Sequence, residues 1–227
     1  SEDYEKKKEV PRPGHADFVA TKKFNGFEDY RGGGHFSGRL TVALVAAGVI
    51  AKKYIESVDK NISIKASIKS IAGNPNVEEA IQKAIDAKDS VGGIVSCEVE
   101  GLPIGLGEPF FYSVESALSA AVFAIPAIKG IEFGAGFAAA EMFGSDHNDA
   151  LLNEDGKTKT NHAGGIVGGI SNGNNLLFNV VVKPTSSTPK IQQALNTATN
   201  EVEDFSVKGR HDLCIALRVP VVLEAVT

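Results

Sequence analysis

The chain has 227 residues, of which 43% are apolar and 22% charged, with a formal net charge of −5. That is enough apolar material for one large domain or two small ones, and with 7% aromatics and no Trp the expected core is aliphatic. The negative balance argues against a general nucleic-acid binder, which needs a basic surface to displace counterions. Two widely separated cysteines, Cys97 and Cys214, exclude a disulfide framework or a four-thiolate zinc site and fit a reducing, cytoplasmic setting.

In chain order, SEDYEKKKEVPRPG opens the sequence and reads as a loop whose preceding half is absent, with an ordinary solvated N-terminal tail as the plainer reading. Residues 11–38, rich in Gly, Pro and polar groups, also read as loops. A helix follows from Arg39 to Tyr54, apolar nearly all round and therefore expected to lie between layers. Its apolar run, Leu40 to Ala51, is too short to span a bilayer, so no membrane association is expected.

Ile62, Ile64, Ala66 and Ile68 alternate with Ser63, Lys65, Ser67 and Lys69, which predicts a strand with one wet face. Asn76 is placed to cap a helix over 77–88, with Glu78 and Glu79 in its first turn. GGIVSCEVEGLP predicts a strand ending at Pro103. Ser113 caps a helix to about Ala124, which Pro126 stops.

A strand over 128–133 is followed by the turn GAGF, and residues 143–163 read as an exposed loop or hairpin. GGIVGGIS and NLLFNVVVK predict two strands joined by residues 172–174. The stretch 190–198 reads as a helix or irregular segment before the strand EVEDFSVKG. Alternating strands interleaved with helices favour α+β over a doubly wound parallel sheet. No GxGxxG joins a strand to a helix, and GGGHFSGR lacks the ending of a phosphate-binding P-loop.

The arginines are segregated. There are 18 lysines along the chain but five arginines: Arg12, Arg31 and Arg39 in one stretch, Arg210 and Arg218 in another. A guanidinium fork matches phosphate and carboxylate, so two loops converging on one anion is one reading of this pattern, and chance is the other.

In GGGHFSGR the glycines allow backbone N–H groups to face a ligand, with Ser37, Arg39 and the following helix N-terminus adding donors. A tight packing turn explains the glycines equally well. His15 lies in RPGHAD, where Asp17 would favour imidazolium and hold an acid near neutral pH. A surface loop histidine is the plainer reading. His211 and Asp212 form a second polar cluster beside Arg210.

KPTSS offers an ammonium and hydroxyls to a phosphate or ribityl chain. NHAGGIVGGISNG permits close approach of a flat ligand or only tight sheet packing. His147 and His162 lack metal-ligand spacing and read as loop residues; no metal is expected.

RPGHAD, DYRGGGHFSGR, AAGVIAKKY, DSVGGIV, GLGEPFF, SVES, FGAGF, NHAGGIVGGISNG, KPTSS and KGRHD stand in this order along the chain. Together they resemble the chorismate synthase family over nearly the whole sequence. The resemblance implies a single domain over residues 1–227, an α+β sandwich with helices packed between outer, largely antiparallel sheets, assembled as a homotetramer. It implies elimination of phosphate from 5-enolpyruvylshikimate 3-phosphate to give chorismate, with reduced FMN donating electron density transiently and its N5 taking the ring proton.

By motif, His15 matches a catalytic histidine near the departing phosphate, and Asp212 an aspartate that assists proton handling. His35, Phe36, Ser37, Pro126, Ala127, Gly168, Lys183, Pro184, Thr185, Ser186, Ser187 and Arg210 fall on flavin-contacting stretches. Arg39 is assigned to the substrate's phosphate or carboxylate. Family members also carry an earlier Gly-Glu-Ser-His segment with a second catalytic histidine, and a C-terminal helix, expected before Ser1 and after Thr227. Departures are a shortened region around 72–76, Leu213 in place of a proline, and Arg218-Val219-Pro220. The alternative reading is a non-catalytic remnant that keeps the fold and binds FMN weakly.

Overall fold

The computed structural model describes residues 9–207 and 212–227. Four strands carry the architecture: β1 (Ser63–Ile71), β2 (Gly93–Glu100), β3 (Ile128–Phe133) and β6 (Leu176–Val182), all antiparallel in the order β1-β2-β6-β3. Between β3 and β6 the chain forms a two-stranded turn, β4 (Ile166–Val167) with β5 (Ile170–Ser171). After β6 comes a separate ribbon, β7 (Gln192–Asn196) with β8 (Glu201–Phe205).

The helices are α1 (Asp17–Lys23), α2 (Thr41–Val58), α3 (Val77–Ala87), α4 (Val114–Val122), the one-turn α5 (Gly144–His147) and α6 (Val219–Val226). This is the expected α+β class with antiparallel sheets.

Period-2 patterning decides which face of the sheet is dry. Ala66, Cys97, Phe178 and Phe133 stand in one row across the four strands and belong to the continuous core. The next row, Ser67, Ser96, Asn179 and Glu132, lies on the opposite face. There Ser96 Oγ donates to Asn179 Oδ1, and Asn179 Nδ2 donates to Glu132 Oε1 at 2.9 Å. A shift of one residue would exchange these rows, so the alternation fixes the register.

α6 lies on the dry face against β1 and β2, flanked by α4, and α2 packs on α6 from behind. Gly48 makes that crossing close: a Cβ there would sit 2.5 Å from Ala225 Cβ. Glu224 of α6 accepts from the β1 backbone N–H of Ala66 at 2.9 Å and from Lys52 Nζ at 3.0 Å. The carboxylate occupies an edge-strand donor that another chain could otherwise pair with.

Several expectations need correction. α2 is not buried all round: Val42, Val49, Ile50, Tyr54 and Val58 are exposed on the side away from α6. Residues 11–38 hold α1 and a 3-10 helix, Arg31–Phe36, not only loops. GGIVGGIS folds back on itself as β4 and β5 instead of running as one strand. The segment near 190–198 is the strand β7, because β8 supplies its ladder.

The predicted caps are present. Asn76 Oδ1 accepts from Glu79 N at 3.2 Å and Ser113 Oγ from Ser116 N at 3.1 Å. Asn76→Ala should cost about 1 kcal/mol, the usual value of such a cap, read as a lower urea midpoint with unchanged slope.

Candidate functional site

One end of the four-stranded sheet gathers the chemistry. β3 begins there after Pro126 and Ala127, and β6 ends there, with Lys183 N donating to Ala127 O at 2.9 Å. Ala127 has φ +72, a left-handed conformation unusual for a residue with a Cβ and a mark of local strain.

β2 begins at the same end, so Ser90 Oγ reaches Thr185 O at 2.7 Å. Val91 N donates to Leu213 O at 2.9 Å, which brings the Asp212 segment alongside.

The RPGHAD turn docks onto this end. Gly14, at φ +68, lets the chain reverse so that its carbonyl accepts from Lys183 Nζ and from Ser186 Oγ, the latter at 2.8 Å. Arg12 Nη1 donates to Ser187 Oγ at 3.4 Å. Gly33, at φ +89, backs onto the imidazole: a Cβ there would lie 3.7 Å from both Cε1 and Nε2 of His15. The segments RPGHAD, GGGHFSGR, Pro126-Ala127 and KPTSS, distant in sequence, therefore meet.

The charges within the cluster are paired unevenly. Asp17 takes Arg12 Nε at 2.7 Å and His15 Nδ1 at 2.6 Å, with all three side chains less than 20% exposed. Burial pushes the Asp17 carboxyl up, but hydrogen bonds and charge from Arg12 and His15 outweigh it and hold it far below the usual carboxylate range. Arg31 is paired with Asp29 at 2.8 Å, and Arg218 with Asp212 through a single contact at 2.8 Å. Of the four arginines described, only Arg39 has no carboxylate partner. It is exposed, with its Nη1 3.5 Å from Ser37 Oγ at the start of the 18-residue α2.

Not every predicted residue joins this cluster. Gly168 sits at the exposed tip between β4 and β5, beside the N-terminus of α4 through Gly169 O and Val114 N. Ala127 follows the other end of α4, about 13 Å of helix rise away. Asp212 is at the right end of the sheet, but its carboxylate is about half exposed and tied to Arg218. Arg210 lies outside the described residues. His35 and Phe36 are exposed, and Ser37 is half-buried.

Sequence reasoning missed the structural use of Arg12 and of the Gly14 carbonyl. The spacing R-x-x-H-x-D was the available signal for the first. His147 and His162 lie 5.7 Å apart, but no group of His, Cys, Asp or Glu among the described residues could hold a metal.

A flavin's phosphate and ribityl chain need donors that the protein leaves open. Thr185 Oγ1 is buried without a hydrogen-bond partner, an arrangement that folded proteins rarely leave unless something else satisfies it. Lys183 and Ser186 are already bonded to Gly14 O and Ser187 accepts from Arg12, so Thr185 Oγ1 is the open donor, with the remaining Lys183 ammonium and Ser187 hydroxyl protons beside it; this set fits such a group.

The family model for chorismate synthase matches residues 1–227. The chain belongs to the chorismate synthase family. Chorismate synthases are lyases of the shikimate pathway that act on a small molecule and use a flavin. The chain is 73% identical over 226 residues to a chorismate synthase of Chitinophaga pinensis, covering 100% of this chain and 67% of that one. It is 41% identical over 254 residues to one from Dehalococcoides mccartyi, covering 100% and 70%.

A solved chorismate synthase structure superimposes with a TM-score of 0.71 at 24% identity, over 91% of this chain and 66% of that one, and so agrees in fold. The chain thus spans about two thirds of the length of these relatives. Identity at this level across the whole chain does not favour a non-catalytic remnant of the family. No helix among the described residues is long and apolar enough to cross a membrane.

Proposed function

We propose that this chain supplies the centre for anti-1,4-elimination of phosphate from 5-enolpyruvylshikimate 3-phosphate, giving chorismate, at the sheet end where RPGHAD, GGGHFSGR and KPTSS meet. The observation that carries it is the distribution of paired charge. Three of the four described arginines are committed to carboxylates, while Arg39 faces solvent beside Ser37 with nothing anionic to hold. A doubly negative leaving group answers that vacancy.

His15, held through Nδ1, presents Nε2 toward the Gly33 side and donates its proton to the departing phosphate. Reduced FMN is the flavin assigned here, and when bound it supplies an electron-rich ring that assists loss of the phosphate. Lys183, Pro184, Thr185, Ser186 and Ser187 would hold it, with His35, Phe36, Ser37, Pro126 and Ala127 around it; Arg210 is assigned to it by motif alone. Gly168, at the other end of α4 from Ala127, would meet a different part of the ligand from the part held by the KPTSS loop.

Asp212 is assigned to proton handling, which requires it to leave Arg218 during the cycle. A homotetramer and a cytoplasmic location complete the reading; the two buried free thiols suit a reducing compartment. Burial pushes the Cys97 thiol up to about 11, so it is inert as a nucleophile.

Arg39→Ala tests the substrate assignment. Loss of a charged hydrogen-bonding partner worth about 1.5–3 kcal/mol should raise KM for the phosphorylated substrate by roughly 10- to 100-fold, with reduced-FMN affinity changed far less. An unchanged KM removes Arg39 from the substrate site.

A further inference from the structure

The carboxylate of Asp17 is filled completely. Oδ1 lies 2.6 Å from His15 Nδ1 in an ion-pair contact and accepts from Arg12 Nη2 at 2.8 Å. Oδ2 accepts from Arg12 Nε at 2.7 Å and from the Arg12 backbone N–H at 3.1 Å. Three hydrogen bonds from Arg12 and the imidazole contact surround the carboxylate, which offers roughly four lone-pair directions, in a position only 19% exposed.

His15 Nδ1 also lies 3.1 Å from Arg12 Nη2. The shorter contact decides the proton's place, since a ring N–H can donate to Asp17 but cannot accept from Arg12 at the same time. Arg12 in turn has Nη1 on Ser187 Oγ.

We infer that Asp17 is a positioning residue for the reaction: it fixes the Nδ1–H tautomer of His15, so that Nε2 alone exchanges the proton, and through Arg12 it sets His15 in register with the Ser187 end of the KPTSS loop. The inference rests on the assignment of His15 as the proton donor. Asp17 touches neither substrate nor flavin in this account; it acts through His15 and Arg12. An aspartate that holds an imidazole by its far nitrogen is a recurring device in unrelated hydrolases, where replacement by Asn leaves the fold intact and places the proton on the wrong nitrogen.

The same reversal is expected here. In Asp17→Asn the amide oxygen must serve Arg12, which has no other carboxylate, so the amide N–H₂ turns toward His15 and donates to Nδ1. The ring then carries its proton on Nε2 when neutral, and the amide N–H₂ facing Nδ1 opposes the doubly protonated ring, which is the form that gives its Nε2 proton to the departing phosphate and is left as the Nδ1–H tautomer.

The experiment uses the protein labelled with 15N at histidine, with His15→Gln supplying the assignment. Long-range 1H–15N correlation spectra are recorded at a pH where the ring is neutral. The wild type should show His15 protonated on Nδ1, and Asp17→Asn should show it protonated on Nε2. Turnover should fall by about 100-fold in kcat, with KM and reduced-FMN affinity within about threefold of wild type.

A wild-type His15 protonated on Nε2 overturns the inference without any variant, so a variant that fails to fold does not shelter it. An unchanged tautomer in Asp17→Asn, or a changed tautomer with full kcat, overturns it equally. Failure of the underlying reading looks different: His15→Gln would retain full turnover while the wild-type tautomer stayed on Nδ1.

Discussion

His15→Ala should lower kcat by about 10²- to 10⁴-fold while leaving the unfolding transition and reduced-FMN binding nearly unchanged. The range is that of one positioned proton-transfer group. Its physical basis is the leaving group: phosphate departs more readily when a proton reaches it as the bond breaks, and a ring held on Asp17 and backed by Gly33 is fixed in place to deliver one.

Stability should survive because His15 is a half-buried loop residue outside the continuous core. Removing it leaves Arg12 still bound twice to Asp17. Single-turnover measurement of chorismate formation checks the loss, and a flavin titration checks that the site still assembles. Full activity in His15→Ala would move the proton donor elsewhere, with Asp212 the next candidate.

Much of the scaffold was legible because its signals are local. Alternation over 62–69 and in GGIVSCEVE marks half-buried strands, and Asn76 and Ser113 announce their helices with hydrogen bonds made within four residues. The segments misread or left unassigned are those whose structure is decided by another element and not by their own pattern. Gln192–Asn196 has no strong strand pattern and is held as a strand by β8. α6 has β-branched residues at four of its eight positions, which disfavour a helix intrinsically, and it forms because Val219, Val222 and Leu223 bury against the sheet.

The site was legible in its parts and not in its economy of charge. Segregated arginines pointed to anion binding, yet three of the four described are spent on aspartates. Asp17, Asp29 and Asp212 each lie two to six residues from the arginine they pair with, a spacing that gives no hint of which arginine stays open. The contact of Gly14 with Lys183 and Ser186, across some 170 residues of chain, joins two loops and leaves no local mark in the sequence.

Phe178→Ala should cost about 3–5 kcal/mol, the range for emptying a buried aromatic site, a large share of the 5–15 kcal/mol that stabilises a typical domain. Phe178 lies on β6, an inner strand, between Cys97 on β2 and Phe133 on β3, and it is 2% exposed. Its ring centroid is 5.8 Å from that of Phe133. Both neighbouring strands hold it, so the sheet cannot collapse into the space without breaking a ladder, and the cost should fall toward the upper end.

Val181→Ala is the matched control, since Val181 is on the same strand with 44% of its surface exposed on the opposite face and should change stability by less than about 0.5 kcal/mol. The comparison also separates stability from function. Phe178 lies four residues, roughly 13 Å, from the Val182 end of β6 that carries the KPTSS loop. At low temperature the folded fraction of Phe178→Ala should therefore bind reduced FMN normally, while its urea midpoint falls far below that of Val181→Ala. Equal midpoints would mean that the row from Ala66 to Phe133 is not where the sheet's stability resides.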